Sequence, residues 1–151
     1  MTTNYRDVPE LQKYIDLVEN EGKNGVKKCC KWQKKLIKFV KKCFENENLT
    51  IDTEQLKKYM GLQKYFDFEL FEWEQFVFTL HCCVFREDGL PRFPDLLIFV
   101  ARGAGKNGYL AFEDFAMISP YSNLQQYDVD ICATAEEQAR TSFDDIYNVL
   151  E

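Results

Sequence analysis

The chain has 151 residues, is 46% hydrophobic and 15% aromatic, and carries 13 Phe and 8 Tyr. That is a core-forming composition, which excludes global disorder. The formal net charge of −6 is uneven: residues 23–42 hold nine Lys and no acid, and the rest of the chain carries ten basic against 25 acidic groups. An acidic body with one basic helix argues against a global DNA-binding surface and leaves a local one open.

The first short helix is predicted over residues 10–21, with Leu11, Tyr14, Ile15 and Val18 on one face, and Glu21-Gly22-Lys23-Asn24-Gly25 breaks it. Val26, Cys29, Cys30, Gln33, Leu36, Ile37, Val40 and Phe44 then recur at spacings of three and four, the signature of an amphipathic helix over roughly 26–45. Its Lys side chains are expected either on a solvated face or against DNA phosphates, with Trp32 and Phe39 interleaved. Asp52 and Gln55 resemble a capping box opening a short helix that Gly61 closes. A fourth helix, about 71–85, directs Trp73, Phe76, Val77, Leu80 and Val84 inward, and Glu87-Asp88-Gly89 with Pro91 marks a turn.

From Asp95 the pattern changes. Residues 96–101 (Leu-Leu-Ile-Phe-Val-Ala) are a continuous apolar run, which predicts a strand buried on both faces. A Gly-rich stretch follows, then a helix to about Met117 that stops near Ser119-Pro120. A second strand is expected over 128–133, and Thr134 with Glu137 resembles a capping box for a last helix with Ala139, Phe143, Ile146 and Leu150 inward. Strand, turn, helix, strand, helix is a βαβ unit followed by a helix. Two parallel strands do not make a stable sheet, and the last helix reaches Glu151 without a stop signal, so the sequence reads as cut off part-way through a domain.

The six cysteines include the adjacent pairs Cys29–Cys30 and Cys82–Cys83, a spacing that favours reduced thiols in a cytoplasmic compartment. No apolar stretch of about 18 residues spans a membrane, and the N-terminus lacks the layout of a secretory signal. His81-Cys82-Cys83 has no second Cys/His pair at ligand spacing, so a core-helix role is expected there rather than metal binding.

The stretch Arg102-Gly103-Ala104-Gly105-Lys106-Asn107-Gly108 carries the chemistry. A Gly-rich turn leaving a strand and entering a helix offers backbone N–H groups and a positive dipole end to an anion. Gly lets the backbone approach phosphate and adopt conformations that a Cβ forbids. Lys106 is placed to reach the β- and γ-phosphates of a nucleoside triphosphate. Against the pattern G-x-x-x-x-G-K-S/T, Val100 replaces the first Gly and Asn107 replaces the hydroxyl residue. The bland alternative is a βα turn that binds nothing, with Lys106 solvated.

These residues resemble the large terminase subunit of tailed bacteriophages, in the branch whose loop reads like G-R-G-N-G-K-N-G. Here the loop is Ala101-Arg102-Gly103-Ala104-Gly105-Lys106-Asn107-Gly108. Phe68 to Phe76 is similar to the family's adenine-side segment L-x-x-W-Q/E-x-F. Residues 130–145 are similar to its segment A-x-x-x-E-Q-A-x-x-x-F-D. Gly22-Lys23 and Cys30-Lys31-Trp32 are similar to its basic N-terminal helix.

The resemblance implies an α/β fold: a helical N-terminal segment, residues 1–70, followed by the first βαβα part of a P-loop NTPase (RecA-like) domain, residues 71–151. It implies that Gly103, Ala104, Gly105, Lys106, Asn107 and Gly108 cradle the phosphates of ATP. Arg102 is then a cis arginine facing the γ-phosphate, with Lys106 sharing the catalytic role. Trp73, Glu74 and Gln75 fall on the adenine side, where Glu74 and Gln75 both remain candidates for reading the base. Asn107 is the implied Mg2+ contact. The whole protein would be an ATP-driven motor packaging double-stranded DNA into procapsids in the bacterial host cytoplasm, and would also cut DNA. The implied partners are the portal, a small terminase subunit and sister subunits in a ring. A Walker B Asp and a water-orienting carboxylate are not found in these 151 residues, so the chain alone is expected to hydrolyse almost no ATP. The competing expectation is a truncated or degenerate, non-enzymatic binder of nucleotide or DNA phosphate.

Overall fold

A computed structural model describes residues 4–23, 29–122 and 124–150. The protein is mixed α/β with a helical majority, and the one sheet among the described residues has two strands. In chain order the elements are α1 (Pro9–Glu19), α2 (Lys31–Asn46), β1 (Thr50–Ile51), α3 (Thr53–Met60), α4 (Glu72–Cys83), β2 (Val84–Phe85), α5 (Lys106–Ile118) and α6 (Glu136–Leu150). The chain forms two compact units, each built from two stretches: Met1–Thr53 with Glu72–Leu96, and Glu54–Phe71 with Leu97–Glu151. The chain crosses between units at Thr53–Glu54, Phe71–Glu72 and Leu96–Leu97.

In the first unit α1 packs against α4. Pro9 opens α1 at its first position, where its missing N–H costs nothing. Leu11, Tyr14, Ile15 and Val18 are buried as their spacing predicts, and the Tyr14 and Phe76 rings meet at 5.0 Å. Gly22, at φ 74°, turns the chain after α1. Helix α2 begins at Lys31, later than predicted. Cys30 sits extended before it, and Gln33 Oε1 accepts the Cys30 amide N–H at 2.7 Å, which ends the helix there. The expectation that Cys29 and Cys30 are helical is therefore corrected, while Val26 lies outside the described residues. Ile37, Val40 and Cys43 form the buried face, and Leu36, expected inward, is exposed.

Helix α4 ends at Cys83, so Val84 is buried in a strand rather than a helix. β1 and β2 pair antiparallel, Thr50 opposite Phe85 and Ile51 opposite Val84. Gly89, at φ 79°, makes the turn predicted there. Arg92 ties this region to the end of α2 through Glu47, its Nη2 donating to Oε1 at 2.8 Å.

In the second unit α5 and α6 pack together, and an aromatic cluster lies against α5: Phe66 stands 5.7 Å from Phe112 and 5.5 Å from Phe115, centroid to centroid. α5 ends at Ile118 with Ser119 capping it, as the Ser-Pro signal predicts. The strands expected over 96–101 and 128–133 do not form ladders; both stretches lie outside helix and sheet. Leu97 is 92% exposed and Phe99 98% exposed, the opposite of burial on both faces. An apolar run becomes a buried parallel strand only when neighbouring strands pair with it, and none among the described residues does. The predicted face of α6 is also rotated. Ser142 and Ile146 are buried, Ala139 is half-buried, and Phe143 and Leu150 are exposed. Nor does the Thr134–Glu137 box form: α6 starts at Glu136, and the Thr134 hydroxyl donates to Gln138 Oε1 at 3.2 Å.

Candidate nucleotide-binding loop

The Gly-rich loop folds as a turn that hands the chain into α5. Ala104 N–H donates to Ala101 O at 3.2 Å, closing the turn. Gly103 and Gly105 take φ of 82° and 91°, left-handed backbone that residues with a Cβ rarely adopt. A Cβ on Gly103 would meet nothing within 4 Å, so backbone conformation rather than crowding calls for glycine there. Gly105 is the cap residue of α5, and Tyr109 N–H returns to Gly105 O at 3.0 Å. The helix therefore opens at Lys106, and its first-turn amides have no acceptor within the helix.

Gly108 has a different reason to be glycine. An added Cβ there would lie 3.2 Å from Phe68 Cζ and 3.3 Å from its Cε2. The Phe68 ring thus packs on the first turn of α5. Of the segment assigned above to the adenine side, Phe68 meets the loop helix in this way. Trp73, Glu74 and Gln75 belong to the first turn of α4 in the other unit; Glu74 is only 2% exposed, and Trp73 and Gln75 are half-buried.

All seven residues 102–108 line one open cleft of about 1160 Å³. Its other walls come from Ile131 and Cys132 and from Glu137, Gln138, Thr141 and Ser142 of α6. Sequence reasoning gave these α6 residues no binding role, and Glu137 only a capping one. The available signal was the E-Q-A segment itself, which the fold brings to the same cleft as the loop. Arg102 and Lys106 are exposed, and Lys106 Nζ donates to Asn107 Oδ1 at 2.8 Å. The cleft is thus cationic at the helix start, with long exposed side chains next to first-turn amides, a combination suited to an anion.

The residues present do not make a Mg2+ site by themselves. Among the cleft-lining side chains the oxygens suited to a hard cation are Asn107 Oδ1, already accepting from Lys106, Gln138 Oε1, already accepting from Thr134, the Thr141 and Ser142 hydroxyls, and the single carboxylate of Glu137. Mg2+ prefers carboxylates, phosphates and water in octahedral array. No group of three or more His, Cys, Asp or Glu positioned for a metal occurs among the described residues. Two carboxyls of this unit titrate high. Asp114 on α5 is raised to about 6, by burial first and then by neighbouring Glu113. Asp145 on α6 is raised by burial, then by Asp67 and Asp144.

No protein-family model, curated protein or solved structure matches the chain. No helix among the described residues is long and apolar enough to cross a membrane.

Proposed function

We propose that residues 102–108 bind the phosphates of a nucleoside triphosphate, ATP by the loop resemblance. In this reading the chain is the N-terminal part of a packaging ATPase of the large terminase type. The observation that carries the reading is the loop itself: two left-handed glycines, Gly103 and Gly105, opening a helix at Lys106 inside a cleft that the whole loop lines. The amides of Lys106, Asn107 and Gly108 take the phosphate oxygens, with the helix dipole favouring negative charge. Lys106 exchanges its contact with Asn107 for a phosphate oxygen, and Arg102 offsets charge at the terminal phosphate. Mg2+ would supply charge neutralisation across the phosphates and would be held by nucleotide oxygens and water rather than by this chain.

These residues provide binding and orientation. No Asp lines the cleft, so hydrolysis is not assigned to this chain alone. In the whole protein, the proposed setting is DNA packaging in the host cytoplasm, with double-stranded DNA, portal, small subunit and sister subunits as partners.

The test is titration of the 151-residue chain with a fluorescent ATP analogue, with and without Mg2+, for wild type and Lys106→Ala. Loss of one charge-assisted hydrogen bond, about 1.5–3 kcal/mol, weakens binding roughly tenfold or more. Equal affinity of the two proteins, or competition by adenosine as effective as by ATP, refutes the phosphate cradle.

A further inference from the structure

The α6 wall of the loop cleft carries two side chains that phosphate binding does not use. Glu137, Gln138, Thr141 and Ser142 fall at i, i+1, i+4 and i+5, one face of α6, and all four line the cleft together with residues 102–108. Ser142 is only 5% exposed, yet its hydroxyl makes no hydrogen bond among the described residues. Polar groups so deeply buried normally have a partner. The neighbouring hydroxyl and amide on this face do: Thr141 Oγ1 donates to Glu137 O at 3.0 Å, and Gln138 Oε1 accepts from Thr134 at 3.2 Å. Glu137 is the one acid among the described residues lining the cleft, where Arg102 and Lys106 are the bases. Its exposed carboxylate has no ion pair or hydrogen bond among the described residues. Helix-dipole complementation does not explain an acid facing this cleft, because Glu136 also sits in the first turn of α6 and does not line it.

We infer that Glu137 and Ser142 bind the ribose of the nucleotide, Glu137 accepting from the 2′- and 3′-hydroxyls and Ser142 completing the contact. The inference rests on the phosphate-binding reading above and extends it to the sugar. Phosphate oxygens are acceptors and carry negative charge, so they repel the Glu137 carboxylate and leave it without a partner. A ribose diol brings two O–H donors and no charge, the chemistry that a lone carboxylate accepts, and the resulting hydrogen bonds are charge-assisted. In a nucleoside triphosphate the sugar is one methylene away from the first phosphate, so phosphates seated on the loop bring the sugar into the same cleft. The volume of about 1160 Å³ accommodates both. The cleft then prefers ribonucleotides over forms that lack the sugar hydroxyls, since removing the diol leaves the carboxylate and the buried Ser142 hydroxyl unpaired.

The test is competition against a base-labelled fluorescent ATP on the whole chain, with Mg2+ present, by inorganic triphosphate, ATP and 2′,3′-dideoxyATP. Wild type should bind ATP roughly tenfold or more tighter than the dideoxy nucleotide. Glu137→Ala should remove most of that preference by weakening ATP, while the dideoxy nucleotide and triphosphate bind as before or more tightly, since a negative charge is gone. Ser142→Ala should reduce the preference by roughly two- to tenfold. Glu136→Ala, next to the cleft but not in it, should keep the wild-type ratio. Retained triphosphate binding shows that each variant is folded. Equal binding of ATP and the dideoxy nucleotide by wild type overturns the ribose contact. So does a wild-type ratio that survives in Glu137→Ala or in Ser142→Ala. Parallel loss of triphosphate and ATP in Glu137→Ala overturns it as well, because the residue then serves the phosphate site or the fold. Failure of triphosphate to compete in wild type removes the phosphate cradle, and the ribose contact with it. Triphosphate that competes without any sugar preference leaves the cradle standing and overturns the ribose contact alone.

Discussion

Substituting Gly108→Ala separates two roles that glycine plays in the loop. Alanine in a helix gains about 0.5–1 kcal/mol over glycine. Against that stands the Phe68 ring, 3.2 and 3.3 Å from where the new Cβ would sit, when carbon atoms prefer about 3.5–4.0 Å. The ring must give by a few tenths of an ångström, and it is held in an aromatic cluster with Phe66, 5.1 Å away, which itself packs on Phe112. Overpacking of this kind costs about 1–3 kcal/mol, so a net loss of roughly 0.5–2 kcal/mol is expected. In a Phe68→Ala background the obstacle is gone and the same substitution should stabilise by about 0.5 kcal/mol. The coupling between the two sites is then roughly 1–3 kcal/mol, measured as a double-mutant cycle. Urea unfolding followed by circular dichroism reads it, since a slope of about 1–3 kcal/mol per molar turns such a change into a visible midpoint shift. An effect of Gly108→Ala with the same sign and size in both backgrounds refutes the packing of Phe68 on α5.

Phe76→Ala, at a fully buried site beside Tyr14, should cost about 3–5 kcal/mol by the same urea assay, and a loss under about 1 kcal/mol contradicts the α1–α4 core. Asp114 is a carboxyl whose folded pKa lies at about 6, raised from 3.8. Its protonated form is the stabilised one, so its contribution is full below about pH 4 and is lost as pH rises towards 6 and above. Asp114→Asn should therefore flatten that fall and add about 1–2 kcal/mol at pH 7 after allowance for its partial exposure. Unchanged pH dependence would show that burial does not act on it. Among the thiols, Cys30 and Cys132 are exposed, whereas Cys83 is fully buried with its thiol pushed up to about 12, chiefly by burial and then by Asp52 and Glu10. Alkylation of the native protein followed by mass spectrometry should mark Cys30 and Cys132 first and Cys83 only after unfolding; early marking of Cys83 would overturn its placement.

Local signals determined much of this protein. The spacing of Leu11, Tyr14, Ile15 and Val18 located α1, and Ser119-Pro120 ended α5 within a residue or two. Gly103, Gly105 and Gly108 marked the loop, because the demand for positive φ or for a missing Cβ is written in the residue type itself. The sequence did not distinguish the two demands: conformation at Gly103 and Gly105, packing at Gly108 against a ring 40 positions earlier in the chain.

Tertiary structure decided what periodicity leaves undetermined. Residues 96–101 have the composition of a buried strand, yet Leu97 and Phe99 are exposed, since a strand exists only through hydrogen bonds to a neighbour and composition supplies none. On α6 the same apolar residues serve two possible faces. Which one is buried depends on how α5 meets the helix, and that contact chose Ser142 and Ile146 over Phe143 and Leu150. The start of α2 likewise moved to Lys31 because Gln33 reaches back to the Cys30 amide, a capping interaction that a pattern of apolar residues does not encode. Helix propensity, glycine conformation and turn chemistry act within a few residues and are legible in one dimension. Strand pairing and the choice of buried face are settled between segments far apart in the chain, and they become definite only when those segments meet.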